Sequence, residues 1–313
     1  MSRPARASLL LAFAALYIIW GSTYLGIRFA IDSIPPLLMA GTRYALAGAL
    51  LYSFMRLRGA PAPTAKGWLH AIVIGVCLLG FGNGGVTLGE QYIPSGLAAL
   101  LVATVPMFLA LLGWLSGVSA KPTAWVTLGL GCGLAGVYLL ARTPGASHVA
   151  LPGHESIGII CVLTAALVWS IGSLYSKKKQ PASSPFVSGG MQMLCGGLAM
   201  IMVGLLRGEA SGFQVAAVTT KSWIAYVYLV TFGSIVAFTA YIWLLRHVEP
   251  ALAGTYAFVN PVVAVLLGWG FAGETLNAQM LGGAALIVVA VVLVVLGGRR
   301  KAPVPALKDT QPA

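Results

Sequence analysis

Residues 97–114, LAALLVATVPMFLALLGW, and residues 252–269, LAGTYAFVNPVVAVLLGW, are two versions of one segment. Leu97, Ala98, Pro106, Leu111, Leu112, Gly113 and Trp114 coincide, without a gap, with Leu252, Ala253, Pro261, Leu266, Leu267, Gly268 and Trp269 at an offset of 155. Seven identities in eighteen positions, a proline and a tryptophan among them, mark an internal repeat. Trp68 and Trp223 keep the same offset. Further upstream the offset is 149, with Trp20 falling on Trp169, Arg28 on Lys177, Pro36 on Pro185, Gly41 on Gly190 and Gly48 on Gly197. The change from 149 to 155 needs only a longer connection after the seventh apolar stretch. The chain therefore reads as a duplication, with residues 1–144 as the first copy and 145–298 as the second. Residues 299–313, polar and proline-containing, are expected to form a disordered cytoplasmic tail.

Charged residues make up 8% of the 313 and hydrophobic ones 58%. Soluble domains carry about 25% charge, so this inventory cannot dress a water-facing surface. Apolar stretches lie near residues 7–27, 35–55, 71–89, 95–117, 123–141, 156–176, 185–206, 222–245, 250–272 and 277–297. Each approaches or exceeds the roughly 20 residues that cross a hydrocarbon core as a helix. The expected fold is an all-α integral membrane protein of ten transmembrane helices. Arg3 and Arg6 before the first stretch imitate a secretory signal, but the stretch is longer than a signal's apolar region and many others follow.

Lysine and arginine placement gives the orientation. With the N-terminus inside, alternate loops put fourteen of these residues in the cytoplasm and four outside (Arg28, Arg142, Arg207 and Lys221), with Arg43 inside a span. Both termini are thus expected to be cytoplasmic, and the net charge of +12 reflects topology rather than nucleic-acid binding. Five helices per copy is an odd number, so the copies enter the membrane from opposite sides as two inverted five-helix repeats. Secondary transporters use such repeats to build alternating access around a midplane site.

The opening Trp20-Gly21-Ser22-Thr23-Tyr24, Arg43 in the second span, Glu90-Gln91-Tyr92 with Ser95-Gly96-Leu97-Ala98-Ala99, Pro106, Asn260-Pro261 and the later Glu274 form a set. In these residues, and over about residues 8–297, the chain resembles the drug/metabolite transporter superfamily, specifically proteins with two EamA domains, and among them the YedA-like exporters. The resemblance implies a ten-helix carrier of the bacterial inner membrane that moves amino acids, related metabolites or drugs, usually outward. One departure stands out: many first halves carry an acidic residue where the second has Glu274, and here that position is Ser119.

Candidate path residues follow from chemistry. Pro106 and Pro261 are expected near the middle of the fourth and ninth spans, where each removes a helical hydrogen bond; interrupted helices at matching places point to a transporter's site, and packing kinks are the alternative. Asn260 stands beside one of them. Asn83 and Thr87 lie in a third span dense in glycine, from Gly80 to Gly85, which suits either a cavity wall or close helix contact, as does the Gly129 and Gly133 pair. Trp20, Ser22, Tyr24, Trp169, Ser173, Tyr241 and Tyr256 combine aromatic faces with hydroxyls, which suits a pocket for an amphipathic solute; an interfacial aromatic belt is the alternative, and is favoured for Trp114 and Trp269. Arg43 either attracts a substrate carboxylate or snorkels to the outer face. Glu90 and Glu274, at outer helix ends, are the candidates for proton coupling, with solvated loop charge as the other reading.

Cys77, Cys132, Cys161 and Cys195 have no paired spacing, and His70, His148, His154 and His247 lack a zinc-binding pattern. No metal, cofactor, phosphate-cradling loop or hydrolytic set is expected. The function this predicts is a secondary transporter, an exporter of small amphipathic metabolites such as amino acids, and not an enzyme. A multidrug exporter is the alternative within transport, and a channel or membrane sensor the rival from another class; the small-molecule substrate and the lipid bilayer are the expected partners.

Overall fold

A computed structural model describes residues 5–89, 91–93, 98, 101–141, 154–179, 184–272 and 278–298. The described residues are helical, with no strand among them. In chain order the main helices are α1 (Arg6–Ile31), α2 (Pro36–Leu57), α3 (Ala65–Gly89), α4 (Val105–Leu115), α5 (Ala124–Ala141), α6 (Glu155–Lys178), α7 (Pro185–Leu206), α8 (Thr220–His247), α9 (Tyr256–Ala272) and α10 (Ala278–Gly298). By length and composition α1, α3, α6, α7 and α8 are apolar enough to cross a membrane, and Val105–Leu115, Ala124–Leu139 and Leu281–Gly297 are shorter apolar helices.

Matching signals start and stop matching helices. Proline occupies the first turn of α2 and α7, where its missing N–H costs nothing. Thr64 and Thr219 cap α3 and α8, their hydroxyls accepting from the amides of Gly67 and Ser222 at 3.1 and 3.2 Å. After α2 and α7 the chain turns at Gly59 and Gly208, both with φ near +80° (82° and 77°), a conformation glycine adopts without a Cβ clash. The first amides of α2, Leu37 and Leu38, donate to Glu209 Oε2 at 2.9 and 3.0 Å. A carboxylate there complements the positive end of the helix.

Two helix pairs form the frame. Gly41 of α2 lies against Gly197 and Ile201 of α7, Gly48 against Gly190 and Leu194, and Gly204 against Leu37 and Leu38. The contacts climb one helix as they descend the other, so α2 and α7 are antiparallel. The same holds for α5 and α10, where Gly129 meets Ala290, Gly136 meets Gly283, and Gly297 meets Thr123 and Val126. Backbones come this close because the interface residues are small: a Cβ on Gly48 would stand 2.4 Å from the Leu194 nitrogen. The GxxxG pair of α5 is divided in its contacts, Gly129 packing on α10 and Gly133 on the Phe258 ring. Outward-facing positions are apolar, for example Leu50 (52% exposed) and Met202 (61%). Exposed apolar surface around the whole bundle suits lipid rather than water.

Two features depart from the expected helices. Pro106 does not kink the middle of a helix; it sits in the first turn of α4, after a turn at residues 103–104. Pro261 does lie inside its helix, α9, which is itself preceded by a short turn of helix, Pro250–Ala253, and a break at Gly254–Thr255. The second departure is that α3 and α8 each contain eight residues of π-helix, Val76–Asn83 and Leu229–Val236. These segments are 153 residues apart, with Gly80 and Gly233 at the same place in each. The wider turn ends where the amides of Gly84 and Ala237 reach back five residues to the carbonyls of Leu79 and Phe232.

Candidate functional site

Where residues of the two copies meet, a cavity of about 90 Å³ is lined by Trp20, Thr23 and Ile27 of α1, Arg43 and Tyr44 of α2, Gly82, Asn83, Val86 and Thr87 of α3, Val102 before α4 and Val105 at its start, Ala165, Ala166 and Trp169 of α6, and Tyr256 and Asn260 of α9. One buried water needs roughly 10–15 Å³ by such a measure, so the space admits a small solute.

An aromatic group forms one wall. The Trp20 ring lies 5.7 Å from that of Trp169, 5.4 Å from Tyr241 and 4.7 Å from Tyr256, mostly edge to face. Trp20 Nε1 donates to the Gly233 carbonyl at 3.1 Å, in the π-helical part of α8. Trp169 Nε1 donates to the Tyr241 hydroxyl at 3.0 Å, and that hydroxyl also pairs with Ser173 Oγ at 2.6 Å. Tyr241 and Ser173 are fully buried behind the wall and hold the indoles; they do not line the cavity. Glycine makes room on the other side, since a Cβ on Gly82 would stand 2.6 Å from the Trp169 ring.

Arg43 is only 2% exposed and does not snorkel to the surface. Its Nη2 donates to the Tyr44 hydroxyl at 2.7 Å and, at 3.5 Å, to Asn83 Oδ1, while the guanidinium carbon lies 4.4 Å from the Tyr44 ring centre. Among the described residues Nε and Nη1 have no hydrogen-bond partner, and neither has Asn260 Oδ1, in a residue 2% exposed. Among the described lining residues Arg43 is the one charged side chain. Thr87 returns its hydroxyl to the Asn83 carbonyl at 2.9 Å, fixing the end of the π-helical segment.

The remaining sequence candidates fall elsewhere. Ser22 faces α8, pairing with the Tyr228 hydroxyl and its own helix at Ile19. Pro106 and Pro261 are buried but outside the lining, whereas the residue before each, Val105 and Asn260, faces the cavity. Glu90 and Glu274 lie outside the described residues, as do the side chains of Tyr24 and Trp269. Trp114 is 41% exposed with Lys121 Nζ 5.5 Å from its ring centre, on the periphery. Sequence reasoning did not single out Thr23, Ile27, Tyr44, Val86, Val102, Val105, Ala165 or Ala166.

The cavity lies toward the end of the bundle that bears Ile27, Arg43 and Thr87. Towards the other end the helices are tied by His70 Nδ1 with the Tyr175 hydroxyl at 2.6 Å, joining α3 to α6, and by Lys177 Nζ with the Val248 carbonyl, joining α6 to the end of α8.

An apolar-surfaced helical bundle with a buried, mixed-polarity cavity between its two sequence copies belongs with the multi-pass membrane transporters. Residues 7–142 and 156–296 each match the EamA-like transporter family. The inner membrane transporter YedA of Escherichia coli strain K12 is 44% identical over 268 residues, covering 85% of this chain and 83% of that one. The transporter YoaV of Bacillus subtilis strain 168 is 25% identical over 283 residues, covering 88% and 93%. A solved crystal structure with 19% identity superposes with a TM-score of 0.76 over 96% of this chain and all of the other, a likeness of fold. The chain belongs to the EamA-like transporters of the drug/metabolite transporter superfamily, and within them it is YedA-like. It is a multi-pass transporter of the bacterial inner membrane.

Proposed function

We propose that this protein is a secondary carrier that exports small amphipathic metabolites, amino acids foremost, by alternating access between two inverted five-helix repeats, residues 1–144 and 145–298. The observation that carries the proposal is the composition of the cavity. Repeat-equivalent residues from both copies, Trp20 with Trp169 and Val105 with Asn260, face one space. The antiparallel pairing of equivalent helices, α2 with α7 and α5 with α10, supports the inverted relation. Ten spans with both termini in the cytoplasm then put the cavity's end of the bundle at the outer face.

The lining suits an amphipathic solute. Indole and phenol faces pack on an apolar body, and the unpartnered Asn260 Oδ1 accepts from an N–H such as an ammonium. Lipophilic cations, the typical load of a multidrug exporter, meet the fixed charge of Arg43 with no described carboxylate in the lining to offset it. Energy comes from a proton gradient or from the substrate's own gradient. Glu90 and Glu274 are the carboxylates through which protons would act.

The test is counterflow in proteoliposomes at zero membrane potential. Vesicles are preloaded with mixed unlabelled amino acids, and entry of each labelled one is followed. Transient accumulation above the external concentration is the expected result; non-saturating flux without counterflow would make the protein a channel.

A further inference from the structure

Arg43 presents a physical problem that the bundle does not solve by itself. A guanidinium keeps its charge even when buried, and burying a charge without a partner is strongly unfavourable. This one is 2% exposed, its contacts are two neutral groups, the Tyr44 hydroxyl and the Asn83 amide oxygen, and no described carboxylate pairs with it. Nε and Nη1, three N–H bonds together, find no partner among the described residues, in a side chain that lines the cavity. An ionisable side chain in that position within a membrane points to a functional role.

Resting on the carrier reading above, we propose that Arg43 is the anchor for the carboxylate of the transported solute, with Tyr44 and Asn83 positioning its guanidinium. Arginine suits the task because its planar fork matches a carboxylate. The charge count selects the anion. With a single cationic residue in the described lining and amides and hydroxyls otherwise, one carboxylate group and the guanidinium form a neutral pair, whereas a dianionic phosphate would leave a buried negative charge on that pair. The rest of the wall, Val86, Val102, Val105 and the two indoles, sets the second requirement, an apolar body attached to the carboxylate. A solute bearing both discharges the buried cation and fills the apolar space at once; its amide does only the second.

The experiment is counterflow with the purified full chain in proteoliposomes, using two pools matched in skeleton. One holds leucine and 4-methylpentanoate, the other leucinamide and 4-methylpentanamide. The wild-type protein is expected to show counterflow with the carboxylates at least tenfold above that with the amides. Arg43→Gln, which gives the first copy the residue that the second has at Gln192, is expected to abolish that preference, and Arg43→Lys to retain part of it. Amides carried by the wild type as well as carboxylates, or an Arg43→Gln protein that keeps the full preference, would overturn the anchor and leave the carrier intact. Counterflow with neither pool would overturn the anchor together with the amino-acid carrier on which it rests. The wild-type comparison needs no variant to fold, and monodisperse elution in detergent identifies the variants fit to be compared.

Discussion

Arg43 of α2 and Gln192 of α7 are equivalent residues, 149 positions apart, and both are buried, one 2% and the other 0% exposed. Arg43 faces a cavity and has N–H bonds to spare. Gln192 donates Nε2 to Ser188 Oγ at 2.9 Å within its own helix, and its backbone carbonyl abuts Gly75 of α3. Around the two residues the backbone contacts stay alike, since Gly41 and Gly48 on one helix and Gly190 and Gly197 on the other form a single antiparallel seam. The duplication thus kept its frame and let its chemistry diverge. One copy carries the fixed charge, and the other contributes the neutral acceptor, Asn260, to the same space.

The frame should be the harder of the two to alter. Gly48→Val and Gly197→Val place a Cβ 2.4 and 2.3 Å from backbone nitrogens of the opposite helix, while Gly131 has nothing within 4 Å. The first two are expected to reduce the yield of monodisperse protein at least fivefold, and Gly131→Val to leave it unchanged; size-exclusion profiles in detergent decide. Equal tolerance at all three would mean that the seam is not what holds the copies together.

Asn260→Ala probes the chemistry. It removes an unpartnered acceptor, so the fold should hold, and the half-saturating concentration of an ammonium-bearing solute should rise about tenfold, the equivalent of roughly 1.4 kcal/mol. Val105→Ala, at the equivalent position of the other copy, should change it less than threefold. A larger effect at Val105 would reverse the assignment of polar and apolar walls.

The smallest effect is expected at the indoles. Trp20→Phe deletes the hydrogen bond to the Gly233 carbonyl while retaining a ring, at a cost of about 1 kcal/mol. Because that carbonyl belongs to the π-helical segment of α8, amide hydrogen exchange should rise in residues 229–236 and stay level in 76–83. Exchange that rises equally in both segments would show that Trp20 does not act on α8 alone.

Much of this was legible in sequence because burial and charge write themselves into composition. The apolar stretch read at 35–55 is the helix Pro36–Leu57, and that read at 185–206 is Pro185–Leu206. The third apolar stretch, 71–89, belongs to a helix that starts at Ala65 after the Thr64 cap, a start that Lys66 hides in the hydropathy pattern. Helical angle explains the site's hits and omissions. Trp20, Thr23 and Ile27 are spaced by three and four and share a face, as do Tyr256 and Asn260; Ser22, two residues from Trp20, points away. Tyr241 and Ser173 carry the expected hydroxyls but spend them on Trp169. The π-helical segments had no such signature, since hydrogen-bond register leaves little trace in residue type beyond the glycine that both contain.

Access to the cavity from each side of the membrane tests the account most directly. Val105→Cys, in a chain whose four native cysteines are replaced by alanine, can be challenged with a membrane-impermeant thiol reagent from either face of sealed vesicles of known orientation. Alternating access predicts modification from both faces, with the ratio of the two rates shifted by a transported solute. Modification from one face only, in the presence and absence of every solute that the protein carries, would contradict it.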